Sequence, residues 1–355
     1  MKTANKNYRT LPGVSVVVIG LNADKYLRKS LQSVVNLDYP SKKIEVIYVD
    51  SGSTDGSQQI ARLFPQVKLL QLDPRNPSAA KGRNTGAYRA KHELIQFVDA
   101  DSYLHPRWLS QAVLALEEDV AAVSGRLSER HPGKNLFHRM AELEWNLWAD
   151  PKGAWTTDTM NANVFGGNVL LRKSVLMAVN GYDEYLKAGE DPDLSYRFRK
   201  LGFRLLRLNH PMASHDINMQ GISQYVRRSR RSGSAYAHLA LRYWKESERF
   251  MVKRVIRIIG GVMTPIVLII AGLLSGFPLL GISLAGLIMF RLVFQTGKFS
   301  KLFRISYLRA LEYSLYLAFS IYPQFLGVKD ALMQKFRERN SGSMPNEPDY
   351  QLISV

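Results

Sequence analysis

The sequence predicts an α/β protein: a mostly parallel sheet wrapped by helices, then a C-terminal membrane-associated helical hairpin. Three observations carry this. Four short apolar runs alternate with helix-patterned segments between residues 14 and 98, and that alternation means βαβ units around a doubly covered sheet. The run Ile258–Phe290 is 33 residues without a formal charge. The net charge of +18 is uneven: Tyr196–Gly260 holds fifteen Lys/Arg against three acids, a local +12.

The 355 residues are enough for two units. Hydrophobic residues at 46% and charged residues at 22% fit a chain with a sizeable core and exclude disorder throughout. The absence of cysteine excludes a disulfide scaffold, a thiolate zinc site and a cysteine nucleophile. The N-terminal MKTANKNYRTLPG has no apolar stretch, so no cleavable signal peptide is expected. The expected division is a tail over 1–12, a cytosolic domain over 13–245, a membrane-associated region over 246–328 and a polar tail over 329–355.

The strands come first. Val14–Ile19, Ile44–Val49, Val67–Leu72 and Leu94–Val98 are near-continuous apolar runs. Lys25–Asn36, Ser57–Phe64 and Ser78–His92 are helical in pattern and lie between them. In open α/β sheets ligands bind at the carboxyl ends of the strands. Those ends carry Gly20, Asn22, Asp50, Ser51 and Asp99-Ala-Asp101. No G-x-G-x-x-G follows the first strand and no Walker P-loop occurs, which argues against a dinucleotide fold and a P-loop enzyme.

Asp99 and Asp101 flank one small residue. In extended backbone such a pair points one way, so both reach one hard cation, or one holds the metal and the other a ribose hydroxyl. Carboxylates suit Mg²⁺ or Mn²⁺. The structural alternative is a pair of capping aspartates. In Asp50–Ser57 the glycines supply turn geometry and Thr54 or Asp55 caps the next helix; capping does not require Asp50, which is free to meet a base or ribose. Lys81 and Arg83 sit near a helix start, where an anion is favoured. Gly189-Glu190-Asp191-Pro-Asp193 opens a helix over Leu194–Leu201, with Asp193 placed to cap it and Glu190 and Asp191 left for other work, one of them a general base. Within His131–Asp150, Trp145 and Trp148 join an amphipathic stripe that faces a core or a membrane, or forms an acceptor wall.

As one helix, Ile258–Phe290 would be about 50 Å long against a bilayer core of about 30 Å. Ser275-Gly-Phe-Pro278 therefore reads as a turn between legs Ile258–Leu274 and Phe277–Phe294. Basic residues on both flanks put both ends in the cytoplasm. A third apolar stretch, Tyr313–Val328, is read as interfacial rather than spanning. The structural alternative is a buried helix pair. The basic block abuts the apolar run and has few interleaved aromatics, which favours a membrane surface over nucleic acid as its partner.

In order along the chain stand Asn22 after the first strand, Val49-Asp50-Ser-Gly-Ser-Thr-Asp-Gly, Arg83-Asn84-Thr-Gly86, Asp99-Ala-Asp101, Gly166-Gly167-Asn168 before a strand ending at Arg172, Gly181-Tyr-Asp-Glu184, Glu190-Asp191 with Tyr196-Arg197, and Gln224–Arg228. This series, over roughly residues 14–232, resembles glycosyltransferase family 2 with the A-type glycosyltransferase fold. It is similar to the bacterial exopolysaccharide, succinoglycan glucosyltransferase-like branch, whose members carry C-terminal membrane helices. The resemblance implies a metal-dependent inverting transfer from a nucleotide-diphosphate sugar, UDP-sugar favoured, to a hydroxyl of a lipid-linked saccharide, by a multi-pass protein of the cytoplasmic membrane with its catalytic domain inside. It implies that Asn22 and Asp50 lie at base and ribose, Asp99 at the ribose, and Arg83 and Arg227 at the diphosphate. Asp101 and His215 would hold Mg²⁺ or Mn²⁺, with His210 a second candidate, and Asp191 would be the base. Gly167, Asn168, Glu190 and Trp145 would lie toward the acceptor. Many processive relatives carry Gln-x-x-Arg-Trp; here Gln224-Tyr-Val-Arg-Arg228 lacks the Trp, so transfer of a single sugar is expected. The competing readings are a polyprenyl-phosphate sugar synthase and a non-catalytic nucleotide-sugar or membrane binder.

Overall fold

The computed structural model describes residues 11–75, 77–147, 159–275 and 279–341. The first four strands are β1 Val14–Gly20, β2 Ile44–Asp50, β3 Val67–Gln71 and β4 Leu94–Asp99, all parallel in the order β3-β2-β1-β4. Between them run α1 Asp24–Val35, α2 Ser57–Arg62 and α3 Ala79–Arg89. Alternate side chains of β1 feed two cores. Val14, Val16 and Val18 join Leu27 and Leu31 of α1; Val17 and Ile19 join Ala80 and Ala87 of α3. Burial on both faces is why these strands read as continuous apolar runs. Gly86 lets α3 close onto β1, because a Cβ there would overlap Val17 and lie 3.2 Å from Val49. Gly20 pairs with Asp50, and Ile19 with both Val49 and Asp99, so the segments after these strands gather at one edge of the sheet.

Past β4 the sheet is mixed, unlike the mostly parallel arrangement expected. It adds β5 Ser102–Leu104, β6 Val120–Glu129, β7 Thr159–Asn161, β8 Val169–Arg172 and β9 Arg204–His215, continuing β4-β8-β6-β9-β5 with β7 on β9. β8 is antiparallel to β4 and β6, whereas β6 and β9 are parallel. The helices here are α4 Trp108–Leu114, α5 Leu136–Leu147, α6 Lys173–Ala178 and α7 Glu190–Lys200.

The chain divides into two compact units between Asn218 and Met219. The second holds α8 Ile222–Tyr243, α9 Val252–Ser275, α10 Leu279–Phe303 and α11 Tyr307–Ser341. The basic helix α8 therefore belongs with the apolar helices, although the sequence division placed it before residue 245. Its tie to α11 is close. A Cβ at Gly233 would overlap the Gln324 carbonyl, and one at Gly327 the Arg230 carbonyl. Tyr225 donates to the Tyr316 carbonyl at 2.8 Å, and Arg230 pairs with Asp330 at 2.6 Å.

Both legs of the expected hairpin are helices; the turn at Gly276-Phe-Pro278 lies outside the described residues. Among the described residues one helix, Val252–Leu274 with mean hydropathy 2.2, is long and apolar enough to cross a membrane. The return leg α10 carries Arg291, Lys298 and Lys301. The third apolar stretch lies inside the 35-residue α11, which runs through Pro323.

Candidate functional site

Three groups of side chains line the edge where the parallel strands end. The first belongs to the loops after β1 and β2. Asn22 adopts a left-handed backbone (φ 52°), and its Oδ1 accepts from the Thr54 N–H at 2.9 Å while Ser53 Oγ accepts from its own N–H at 2.8 Å. Asp50 is fully buried. Its carboxylate accepts from Gly52 N, Ser53 N, Gln58 Nε2 and Tyr48 Oη, at 2.9–3.3 Å. This corrects the reading that Asp50 is free of structural work: it shapes the loop, and a buried carboxylate requires such donors. Asp55 accepts from Ser57 N at 2.9 Å just ahead of α2, whose N-cap position is Gly56 and has no side-chain cap.

The second group centres on Arg83. This α3 arginine is 3% exposed and meets three carboxylates: Asp99 at 2.9 Å, Glu190 at 3.3 Å and Asp191 at 3.4 Å. Its guanidinium also stacks over the Tyr182 ring, 5.3 Å from the centroid. Gly167 allows the arrangement, since a Cβ there would overlap Arg83 Nη2 and lie 2.6 Å from Asp99 Oδ2. Asn168 accepts from the Asp99 N–H at 3.2 Å and donates to Ser102 Oγ at 3.1 Å, holding the Asp99–Asp101 turn from both sides. Glu190 and Asp191 stand in the first turn of α7, after Gly189 with φ 91°. Asp193 does not cap that helix; it is buried inside it, accepting from Arg197 Nε at 2.8 Å. Arg197 Nη1 in turn donates to the carbonyls of Val179 and Gly181, so the pair fixes α7 to the preceding loop.

The charges are coupled. Desolvation opposes the charge on Arg83, yet Asp191, Asp99 and Glu190 hold its pKa well above the ordinary value. Burial pushes the Asp191 carboxyl up to about 7; Arg83 pulls it down, and Glu190 and Asp99 add to the rise. Asp191 Oδ1 has no hydrogen-bond partner among the described residues, although its side chain keeps 18% exposure.

The third group is Asp101, His215 and Trp145. His215 Nε2 lies 3.1 Å from Asp101 Oδ2, and Trp145 meets the imidazole edge-on at 5.0 Å. Asp101 Oδ1 is a buried atom without a hydrogen-bond partner among the described residues. Arg130, unnoticed in the sequence, donates to the Asp101 carbonyl at 2.8 Å. The two aspartates thus face different partners, Asp99 toward Arg83 and Asp101 toward His215. His210 lies five residues earlier in β9; it is His215 that reaches Asp101. An imidazole and a carboxylate, one of whose oxygens is buried without a donor, form a ligand pair that fits Mn²⁺ or Mg²⁺.

The structure therefore brings together Arg83, Asp99, Gly167, Glu190 and Asp191, with Asn168 holding the turn between Asp99 and Asp101, and Asp101, His215 and Trp145 beyond it. Asn22 and Asp50 organise the neighbouring loop pair. Lys81 lines an open groove of about 510 Å³ with Asp73, Arg75, Thr85 and Glu184. Arg227 is an exposed residue of α8 in the second unit. Trp148 lies outside the described residues. Sequence reasoning missed the Tyr182 ring under Arg83, although Gly181-Tyr-Asp-Glu184 was a visible motif.

The chain is similar to known proteins. The "Probable glycosyltransferase YdaM" of Bacillus subtilis (strain 168) is 29% identical over 212 residues, 56% of this chain and 50% of that protein. The "Beta-monoglucosyldiacylglycerol synthase" of Nostoc sp. (strain PCC 7120) is 26% identical over 247 residues, 66% of this chain and 51% of that protein. The chain thus spans about half the length of these curated relatives. Among solved structures, the mannosyltransferase PcManGT from Pyrobaculum calidifontis, in complex with GDP-Man and Mn²⁺, superposes with a TM-score of 0.59 at 20% identity, over 90% of this chain and 88% of that one. At that identity the likeness speaks for the fold. Residues 15–179 match the family described as Glycosyl transferase family 2.

Proposed function

We propose that the protein is an inverting glycosyltransferase that moves one sugar from a nucleotide-diphosphate sugar, UDP-linked in preference to GDP-linked, to a hydroxyl of a lipid-linked saccharide. The observation that carries this is Asp191: a carboxyl held near neutrality by burial, steadied by Arg83, at the strand-end edge that also presents Asp101 and His215. A general base works best with a pKa close to the operating pH.

In this reading Asp191 accepts the proton of the acceptor hydroxyl. The oxygen forms a bond to the anomeric carbon while the bond from that carbon to the diphosphate oxygen breaks, and the electron pair leaves with the nucleoside diphosphate. One displacement inverts the centre. Arg83 keeps Asp191, Glu190 and Asp99 in place rather than reaching the diphosphate, since its guanidinium is already engaged by all three. Asn22 and Asp50 hold the loops that receive the nucleotide. Asp101 and His215 would hold the divalent cation, which supplies positive charge against the departing diphosphate. The raised base favours a hydroxyl acceptor over a lipid phosphate, which needs little deprotonation.

The apolar α9, with exposed Ile266, Ile270, Leu273 and Leu274, and the basic face of α8 support a seat at the cytoplasmic face of a membrane, with acidic lipids as partners. Its finer form, the spanning hairpin with both ends inside, is part of this proposal.

The test is donor hydrolysis by the full-length, detergent-purified protein against a panel of UDP- and GDP-sugars, with Mn²⁺ or EDTA. Release of nucleotide from one donor, lost with EDTA, in Asp101→Ala and in Asp191→Asn, is the expected result. Absence of both turnover and metal-dependent nucleotide binding would overturn the reading.

A further inference from the structure

A second cluster of ionisable side chains takes no part in the chemistry above. Glu129 ends β6, His138 lies near the start of α5 and Asp216 follows β9. They are 4%, 0% and 5% exposed. One ligand atom of each lies within 4.8 Å of the others.

Both carboxylates are aimed. Glu129 accepts from His131 N at 2.9 Å and, through its other oxygen, from Ile217 N at 3.0 Å. Asp216 accepts from Asn218 N at 2.8 Å and, through its other oxygen, from Tyr26 Oη at 3.1 Å. The imidazole is aimed as well. Its Nδ1 lies 2.8 Å from Asn135 Oδ1, an oxygen that also accepts from the His138 N–H at 3.1 Å. Nδ1 is thus the nitrogen that donates to Asn135, which leaves Nε2 as the atom turned to the carboxylates. Nε2 is buried without a hydrogen-bond partner among the described residues and faces Asp216 Oδ1 at 3.4 Å. A buried nitrogen without a hydrogen, facing one carboxylate oxygen with a second carboxylate beside it, needs positive charge there, from a second proton on the ring or from a bound cation. An outer partner that fixes the tautomer, leaving the other nitrogen for a ligand, is the usual arrangement around a metal-bound histidine.

We propose that Glu129, His138 and Asp216 form a buried site for one divalent transition-metal ion, Zn²⁺ or Mn²⁺, separate from the donor site. One imidazole and two carboxylates suit those ions better than Ca²⁺, which prefers an all-oxygen shell. The role is structural: the ion ties the end of β6, the start of α5 and the segment after β9. His215 and Asp216 are adjacent, one turned to Asp101 and the other to His138, so this tie also anchors the donor-site histidine. The proposal is independent of the reading of the donor site.

The test uses full-length, tag-free protein purified without chelator. Metal content is measured by mass spectrometry in the wild type, Asp101→Asn and His138→Gln, and the visible spectrum is recorded after Co²⁺ exchange. Wild type and Asp101→Asn are expected to retain one ion per chain and to show Co²⁺ bands of mixed imidazole–carboxylate ligation; His138→Gln is expected to lose both. If His138→Gln fails to fold, the ion retained in Asp101→Asn and its Co²⁺ spectrum still decide. A wild type without tightly held metal, whose melting temperature is indifferent to Zn²⁺ and Mn²⁺, overturns the site and makes the cluster a protonated histidine between two carboxylates. An ion lost in Asp101→Asn but kept in His138→Gln also overturns it.

Discussion

At the scale of single residues, the proposed chemistry rests on the contact between Arg83 and Asp191. Asp191 must be ionised to take a proton, so acceptor turnover is expected to rise with pH through about 7 in the wild type. Glu190 is among the groups that raise it, so Glu190→Gln should move the midpoint of the kcat/KM profile to lower pH; an unmoved midpoint would remove Asp191 from the base role. Asp191→Asn should abolish that limb and lower kcat by about 10²–10⁴-fold while donor binding persists. The same shift has a sign for stability. The folded pKa lies above the unfolded one, so the protonated carboxyl favours the fold below about pH 4, and that contribution is lost as pH rises through about 7. Arg83→Met leaves three carboxylates without their cation and should cost about 3–5 kcal/mol in denaturant melts, the usual cost of breaking a buried pair. Each of these residues was legible as part of a motif. Their contact was not, because Arg83 and Glu190 are 107 positions apart in the chain and no local pattern encodes such a meeting.

Among the elements, the parallel strands were legible because burial on both faces demands unbroken apolar runs. Of the strands added later, β8 was legible as the run ending at Arg172, and the others less so. β9 extends through Pro211, a residue that reads as a strand breaker, and it is tolerated where the register with β6 is irregular around Arg126. β5 and β7 have only three residues each, too few for a period to show. Helix α8 was read as a charge block because its arginines hide the small residues of its other face. Gly327 of α11, which meets that face, carries a prediction. Gly327→Leu should force α8 and α11 apart, since even a Cβ collides with the Arg230 carbonyl; a lower melting temperature, or loss of cooperative helical unfolding by circular dichroism, is the expected readout. Gly86→Val tests the same principle in the sheet unit, where Val17 leaves no room.

At the scale of the whole molecule, the proposed membrane seat rests on the basic α8 and the apolar α9. Charge alone would bind acidic vesicles at low salt and release them as the Debye length shortens to about 3 Å at 1 M. Apolar burial does not screen. Full-length protein on vesicles containing acidic lipid should therefore stay bound after a 1 M salt wash, and complete release would leave only the electrostatic part of the membrane reading. The exposed apolar residues of α9 also bear on kinetics. An enzyme seated in a bilayer meets a lipid-borne acceptor by diffusion in two dimensions, so its velocity should follow the mole fraction of acceptor in the film rather than its amount per volume. Adding inert lipid at constant total acceptor would then slow the reaction, and the cell could throttle output by membrane area alone.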